Sequence, residues 1–152
     1  NKLFKLKEAI RSTSDTLINA GAEIGLVAFN EQATILSNFV RSTNINVSNI
    51  NANGGTNFEA GLRAGARVLR SAQTTPGVQK HVIFLSDGLQ NTGGDYRIVV
   101  DEIKRQETIH TIAYGSDADR GALQAMASSP SKAYYGDNIG AIFDDIVTNI
   151  CR

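Results

Sequence analysis

The sequence lacks the features that mark several classes of protein. Its 15 basic residues balance its 15 acidic residues, so no excess positive charge indicates a nucleic-acid-binding surface. Its apolar runs fall well short of the roughly 20 residues that a membrane-spanning helix needs. A single cysteine, Cys151, cannot form a disulfide within the chain, and is either an incidental thiol or half of a disulfide with a partner outside it. We therefore expect neither nucleic acid nor membrane insertion among its interactions.

The sequence signatures of common enzyme classes are also absent. The phosphate-binding patterns Gly-x-Gly-x-x-Gly and Gly-x-x-x-x-Gly-Lys-[Ser/Thr] do not occur, and neither does the Gly-x-Ser-x-Gly turn of hydrolases. An enzyme that uses Gly54-Gly55-Thr56 to hold an anion is therefore the least favoured interpretation.

The size and composition that remain are those of one globular domain. The chain has 152 residues, 41% of them hydrophobic, which is enough for a single core over residues 1–152. Because it begins at Asn1 without an initiator methionine, we expect it to be part of a longer polypeptide.

Apolar periodicity predicts alternating helices and strands. The predicted helices cover about 1–19, 58–71, 95–107, 119–127 and 139–151. The predicted strands cover 24–29, 33–40, 81–85, 109–114 and 132–135. This order predicts an α/β fold of the Rossmann-like, doubly wound type, with a mostly parallel sheet and helices on both faces. The first two strands form an antiparallel hairpin at one edge.

Two polar motifs lie where such a sheet binds ligands, beyond the carboxyl ends of its strands. Gly54-Gly55-Thr56-Asn57 precedes a helix, and Ser86-Asp87-Gly88 follows the apolar run 82–85. A hydroxyl and a carboxylate brought together there suit a hard divalent cation, which prefers oxygen ligands. Two simpler interpretations stay open: Thr56 caps its helix, or Asp87 closes a turn before Gly88.

Other polar and small residues have ordinary structural interpretations. His81 and His110 lie on predicted strands, and we expect their ring nitrogens to be satisfied there. Asp95 and Asp119 are expected to cap helices. The small residues of the helix over 58–71 predict a close approach to the sheet.

Four motifs in order resemble those of the von Willebrand factor type A (vWA) family, over essentially all 152 residues. They are Ile24–Phe29, Gly54–Asn57, Val82–Gly88 and Tyr114–Asp117. The family carries a metal-ion-dependent adhesion site, and the resemblance implies Thr56 and Asp87 as metal ligands.

The resemblance also implies what the site does. Mg²⁺, or Mn²⁺ or Ca²⁺ in its place, would join the domain to a protein partner that presents Asp or Glu. The partner-binding rim would comprise Gly55, Asn57, Gly88 and Asn91. Such adhesion modules are not enzymes, and the expected location is extracellular or at the cell surface.

One part of the family pattern is missing. The family's Asp-x-Ser-x-Ser motif, which ends the central first strand, does not occur in this sequence. We expect that strand to come from another chain or segment, because unpaired buried backbone groups cost about 1–3 kcal/mol each. Without it we expect poor folding and weak or no metal binding. The alternative is a metal-independent scaffold within a larger, intracellular complex.

Overall fold

The computed structural model describes residues 2–40, 47–48, 50, 55–71 and 76–151. The helices of these ranges are Lys2–Asn19 (α1), Phe58–Ser71 (α2), Arg97–Gln106 (α3), Arg120–Met126 (α4) and Ile139–Ile150 (α5), with a short 3₁₀ turn at Pro130–Lys132. The strands of the same ranges are Ile24–Phe29 (β1), Ala33–Val40 (β2), His81–Ser86 (β3), Thr108–Tyr114 (β4) and Ala133–Gly136 (β5).

The strands form one parallel sheet and one antiparallel hairpin, which confirms the predicted α/β fold. The parallel sheet has the order β3-β4-β5, in a register that pairs His81 with Thr108 and Ser86 with Ala113. The hairpin pairs β1 with β2. Parallel strands need crossover helices, and α3 and α4 supply them here.

Helices cover both faces of the parallel sheet. Successive side chains of a strand point to opposite faces, and β4 shows the consequence. Ile109 and Ala113 pack with α2, α3 and α4, whereas Ile112 and Tyr114 pack with α1 and α5. The six residues from Ile109 to Tyr114 are all buried, which makes β4 the most enclosed strand of the described residues.

In the part of the chain that the structure describes, the strands of the hairpin and of the parallel sheet share no ladder hydrogen bonds. Among the described residues, β1 pairs only with β2, and β3 pairs only with β4. Their contact is aromatic: the ring of Phe29 stacks on that of Phe84 with centroids 5.2 Å apart, and Phe58 of α2 packs edge-on against both. Although its sequence is apolar, β1 is only half-buried along its whole length.

Several boundaries differ from the sequence predictions. Asp95 does not cap α3: that helix begins at Arg97, its N-cap is Tyr96, and the Asp95 carboxylate instead accepts from the Arg97 N–H at 3.0 Å. Asp119 is confirmed as the cap of α4, since its side chain accepts from Ala122 N–H. Residue 1 and most of 41–54, including Gly54, lie outside the described residues. Cys151, which directly follows α5, is exposed.

Candidate metal site at the carboxyl edge of the sheet

Asn57, and not Thr56, caps helix α2. The Asn57 side-chain oxygen accepts a hydrogen bond from the Ala60 N–H at 3.0 Å, as an N-cap residue does. Its own backbone N–H donates to the Asn30 carbonyl at 2.8 Å, which ties the loop to the end of β1. The capping interpretation of Thr56 is therefore wrong, and the hydroxyl of Thr56 is left for another role.

Asn91 holds the backbone of Thr56 from both sides. Its side-chain oxygen accepts from the Thr56 N–H at 2.9 Å, and its own N–H donates to the Thr56 carbonyl at 3.0 Å. The adjacent Thr92 N–H donates to the same carbonyl at 3.3 Å. Because its side chain is engaged in this way, Asn91 positions Thr56.

Glu31 is a further positioning residue, which the sequence interpretation did not single out. Its carboxylate accepts from the Gly55 N–H, and its carbonyl accepts from the Asn57 side chain, both at 3.1 Å. A Cβ atom on Gly55 would lie 2.7 Å from the Asn91 side-chain oxygen, so a larger residue would have to displace the side chain that holds Thr56. A signal was present: Glu31 lies two residues after the end of β1, at the edge of the sheet where ligands bind.

Asp87 follows the last residue of β3 and points into solvent, with a side chain that is 62% exposed. The hydroxyl of Ser86, one residue earlier, accepts from the Gly88 N–H at 3.2 Å and so closes the turn. A Cβ atom on Gly88 would lie 3.4 Å from the Thr56 hydroxyl oxygen. The two predicted ligand loops therefore meet at Gly88, with the Thr56 hydroxyl beside the Asp87 turn.

Lys2 brings a positive charge to Asp87. Its ammonium lies 3.9 Å from an Asp87 carboxylate oxygen and donates to the Tyr114 carbonyl at 3.1 Å. It also lies 4.7 Å from the centroid of the Tyr114 ring. No local pattern predicts this contact, because Lys2 and Asp87 are 85 positions apart and meet only when α1 packs on the sheet.

The carboxylate of Glu59, on the first turn of α2, contacts the loop that follows the Asp87 turn. It accepts from the Gly94 N–H at 2.9 Å and pairs with Arg63 at 3.0 Å. The Gly94 hydrogen bond, followed by the contact with Arg63, lowers the pKa of Glu59 below its usual range. Glu59 is therefore charged at neutral pH. Its carboxylate stabilises the loop that carries Asn91.

The chemistry of the two predicted ligands suits a hard cation, and two oxygen donors alone do not complete its coordination shell. Thr56 and Asp87 offer one hydroxyl and one carboxylate, the oxygen ligands that Mg²⁺ and Ca²⁺ prefer. Within the described residues, no group of three or more His, Cys, Asp or Glu side chains is arranged to hold a metal ion. A closed site for zinc, built from nitrogen and sulfur ligands, is not found in that part of the chain.

Residues 1–149 match the family model described as von Willebrand factor type A domain. The chain belongs to this family, as its sequence motifs predicted. Domains of the family are generally protein-interaction modules, and they are mostly not enzymes.

A curated relative and several solved structures are similar to the chain. Calcium-activated chloride channel regulator 1 of Bos taurus is 34% identical over 127 residues, which are 78% of this chain and 14% of that protein. The chain thus spans about one seventh of that relative's length.

The similar structures share the fold at low sequence identity. Proximal thread matrix protein 1 from the mussel byssus has a TM-score of 0.85 and 17% identity, over 99% of this chain and 42% of that one. The vWF domain of the pilus tip protein Mfa5 from Porphyromonas gingivalis has a TM-score of 0.81 and 15% identity, over 98% and 88%. A form of the mussel protein described as having a zinc-occupied MIDAS motif has a TM-score of 0.77 and 20% identity, over 95% and 40%.

None of the described helices is both long enough and apolar enough to cross a membrane.

Proposed function

We propose that this domain binds a protein partner through a divalent cation held at Thr56 and Asp87. The observation that carries the proposal is the meeting of the Thr56 hydroxyl with the Asp87 turn at the carboxyl edge of the sheet, where neither group serves as a helix cap. A bound Mg²⁺, Mn²⁺ or Ca²⁺ would supply an electrostatic bridge to an Asp or Glu of the partner.

The other predicted site residues support this role in different ways. Asn57 and Asn91 fix the Thr56 loop, so that its hydroxyl needs little rearrangement to reach a ligand. Gly55 and Gly88 let the two loops approach each other closely. We expect these four residues to form the rim on which the partner rests.

We also propose that a strand from another chain or segment completes the sheet between β1 and β3. Two observations support this. Each of these strands has a neighbour on one side only among the described residues, and the apolar strand β1 stays half-buried. The stacked rings of Phe29 and Phe84 indicate that the two open edges lie side by side beneath α2.

The expected setting of the domain is extracellular or at the cell surface. Two findings support this proposal. One is the family, and the other is the pair of similar structures whose names mention a pilus tip and the mussel byssus. We propose no catalytic role and no nucleic-acid ligand, because the domain belongs to a family of interaction modules and carries no net charge.

The test is a titration with Mn²⁺, followed through the relaxation of water protons. We expect binding with a dissociation constant in the roughly millimolar range that open extracellular Ca²⁺ sites show. Asp87→Asn and Thr56→Val should each abolish it, because the first removes the negative charge of the ligand and the second removes the hydroxyl oxygen. Asp101→Asn is the matched control, since it removes an exposed carboxylate of α3 and should leave binding unchanged.

A glutamate-containing peptide then tests the bridge to a partner. It should displace water from bound Mn²⁺ and lower the relaxation rate, whereas its glutamine counterpart should not. Mn²⁺ binding that survives Asp87→Asn would refute the proposed site. Binding to a natural partner that survives both EDTA and Asp87→Ala would favour a metal-independent scaffold, an alternative that has the existing Lys2–Asp87 contact in its favour.

A further inference from the structure

We infer that the Lys2 ammonium is a built-in competitor for the cation site and sets its affinity for metal. This inference rests on the proposed function, since it concerns the same Asp87 carboxylate. It adds a residue to the site that neither the sequence motifs nor the comparisons assign.

The Lys2 ammonium lies among oxygen atoms of Asp87 and Tyr114, as a bound cation would. Its ammonium contacts the Asp87 carboxylate at 3.9 Å and the Tyr114 carbonyl at 3.1 Å. These oxygens stand at the carboxyl ends of the neighbouring strands β3 and β4, the edge at which an open α/β sheet takes its ligand. The ring of Tyr114 adds a third favourable surface, 4.7 Å from the ammonium.

The backbone after Tyr114 leaves space for this ammonium. Gly115, which follows Tyr114, has a φ of 89°, and a Cβ atom there would collide with the Lys2 ammonium. The Tyr114 hydroxyl in turn donates to the Lys2 carbonyl at 3.1 Å, so Tyr114 holds the residue at both its backbone and its side chain.

Helix stability does not account for the charge at this position. Lys2 is the first residue of α1, and the first turn of that helix contains no acidic residue. A positive charge at a helix N-terminus is unfavourable, because the helix dipole is positive there. The ammonium is therefore held in place by the oxygens of Asp87 and Tyr114.

A divalent cation at Asp87 must displace or repel this ammonium. Two like charges a few ångströms apart repel each other even near the surface, while solvent weakens the effect. We expect removal of the Lys2 charge to tighten Mn²⁺ binding about fivefold, which is about 1 kcal/mol because a tenfold change in affinity is about 1.4 kcal/mol. The affinity should also depend on ionic strength more steeply in the native chain than in the variant.

The experiment compares the native chain with Lys2→Met and Lys5→Met by Mn²⁺ titration. Methionine keeps an apolar stem to lie on Tyr114 and loses the charge. Lys5→Met is the matched control, because it removes the same charge from an exposed position one turn further along α1. Thermal unfolding without metal verifies that each variant is folded.

Tighter binding in Lys2→Met, with Lys5→Met within twofold of the native chain, is the expected result. Metal binding seen only in Lys2→Met would support the inference equally. Equal affinities in the native chain and Lys2→Met, with binding still lost in Asp87→Asn, would overturn the inference and leave the proposed function standing. No binding in either chain would overturn both.

Discussion

At the scale of single residues, two histidine rings share a hydrogen bond near the amino ends of β3 and β4. The His81 Nδ1 and His110 Nε2 atoms are 3.0 Å apart, and His81 Nε2 lies 3.3 Å from the Gln79 side-chain oxygen. The Gln79 oxygen can only accept, so His81 Nε2 carries the hydrogen and donates to it. His81 Nδ1 then accepts a hydrogen bond from the N–H at His110 Nε2. The buried His110 Nδ1 is then an acceptor, and no described residue donates to it. The expectation that both histidines are fully satisfied is therefore wrong for His110.

This arrangement predicts a loss of stability in mild acid. Burial, with smaller contributions from His81 and Lys132, lowers the pKa of His110 to about 4, against about 6.5 in an unfolded chain. Between these values the unfolded chain binds more protons, so the free energy of unfolding falls as the pH falls. We expect it to be about 2 kcal/mol lower at pH 5 than at pH 7 from His110 alone. Urea unfolding followed by circular dichroism measures the difference.

His110→Gln removes the titrating group and should remove most of this pH dependence. Glu59 and Asp95 should contribute little over the same range, because hydrogen bonds lower the pKa values of both carboxyl groups. Burial raises the pKa of Glu107 and lowers that of His81, so the pH dependence that remains in the variant is assigned to these two groups. An unchanged difference between pH 5 and pH 7 in the variant would contradict the role given to His110.

The residues of the candidate site divide into those that local sequence reveals and those that it does not. Thr56 and Asp87 follow from motif and position, because each belongs to a loop at the carboxyl edge of the predicted sheet. Lys2 and Glu31 reach that edge only through the packing of α1 and of the β1–β2 turn, which a motif does not encode. The cap of α2 was also ambiguous, since Thr56 and Asn57 are both good capping residues.

At the scale of elements, the predicted helices and strands agree with the described ones to within one or two residues at most boundaries. The pattern is strong because buried strands and amphipathic helices differ in period. The 3₁₀ turn at Pro130–Lys132 was not predicted, since three residues carry no periodic signal. The periodicity of a single strand does not predict the separation of β1 from β3, because the separation depends on how the strands are arranged in the sheet.

Helix α2 shows why small residues in one helix are not equivalent. A Cβ atom on Gly61 would lie 2.7 Å from the ring of Phe29, whereas one on Gly65 would meet nothing within 4 Å. The expected close approach to the sheet is therefore confirmed at Gly61, where the neighbour is β1. The ring of Phe29 has little freedom to move, because it already packs between Phe58 and Phe84.

Alanine substitutions at these two glycines should have opposite effects. Gly65→Ala should raise the free energy of unfolding by about 0.5–1 kcal/mol, because alanine favours the helical backbone. Gly61→Ala gains the same propensity but must displace the Phe29 ring, and we expect a net loss of about 1–3 kcal/mol. Urea unfolding of both variants at one pH gives the comparison. Equal stabilisation by the two substitutions would show that Phe29 does not pack tightly against α2.

At the scale of the whole molecule, the described residues form two sheets that share one aromatic core. Phe29 from the hairpin and Phe84 from the parallel sheet meet at Phe58, and this contact joins the two parts. A strand edge that is both buried and unpaired costs about 1–3 kcal/mol for each unpaired backbone group. Every residue of β1 is partly exposed, so part of the cost is apolar side-chain surface left in contact with water.

This arrangement predicts a distinct pattern of amide hydrogen exchange. β4 lies between β3 and β5, so its amides have partners on both sides and should exchange slowly. In β1 and β3, only the amides that face β2 and β4 are paired, and alternate amides along each strand should exchange fast. Residue-resolved exchange measured by NMR at a concentration where the chain is monomeric tests this, with β4 as the internal control.

The same measurement distinguishes an open edge from one that is already covered. Adding the segment that completes the sheet should slow the fast amides of β1 and β3 and leave those of β4 unchanged. If every amide of β3 is protected in the monomeric chain, its outer edge has a partner already, and the proposal of a strand supplied from elsewhere is wrong. Fast exchange confined to alternate residues would support an open edge. General flexibility of the strand does not explain that pattern, because it would expose neighbouring amides alike.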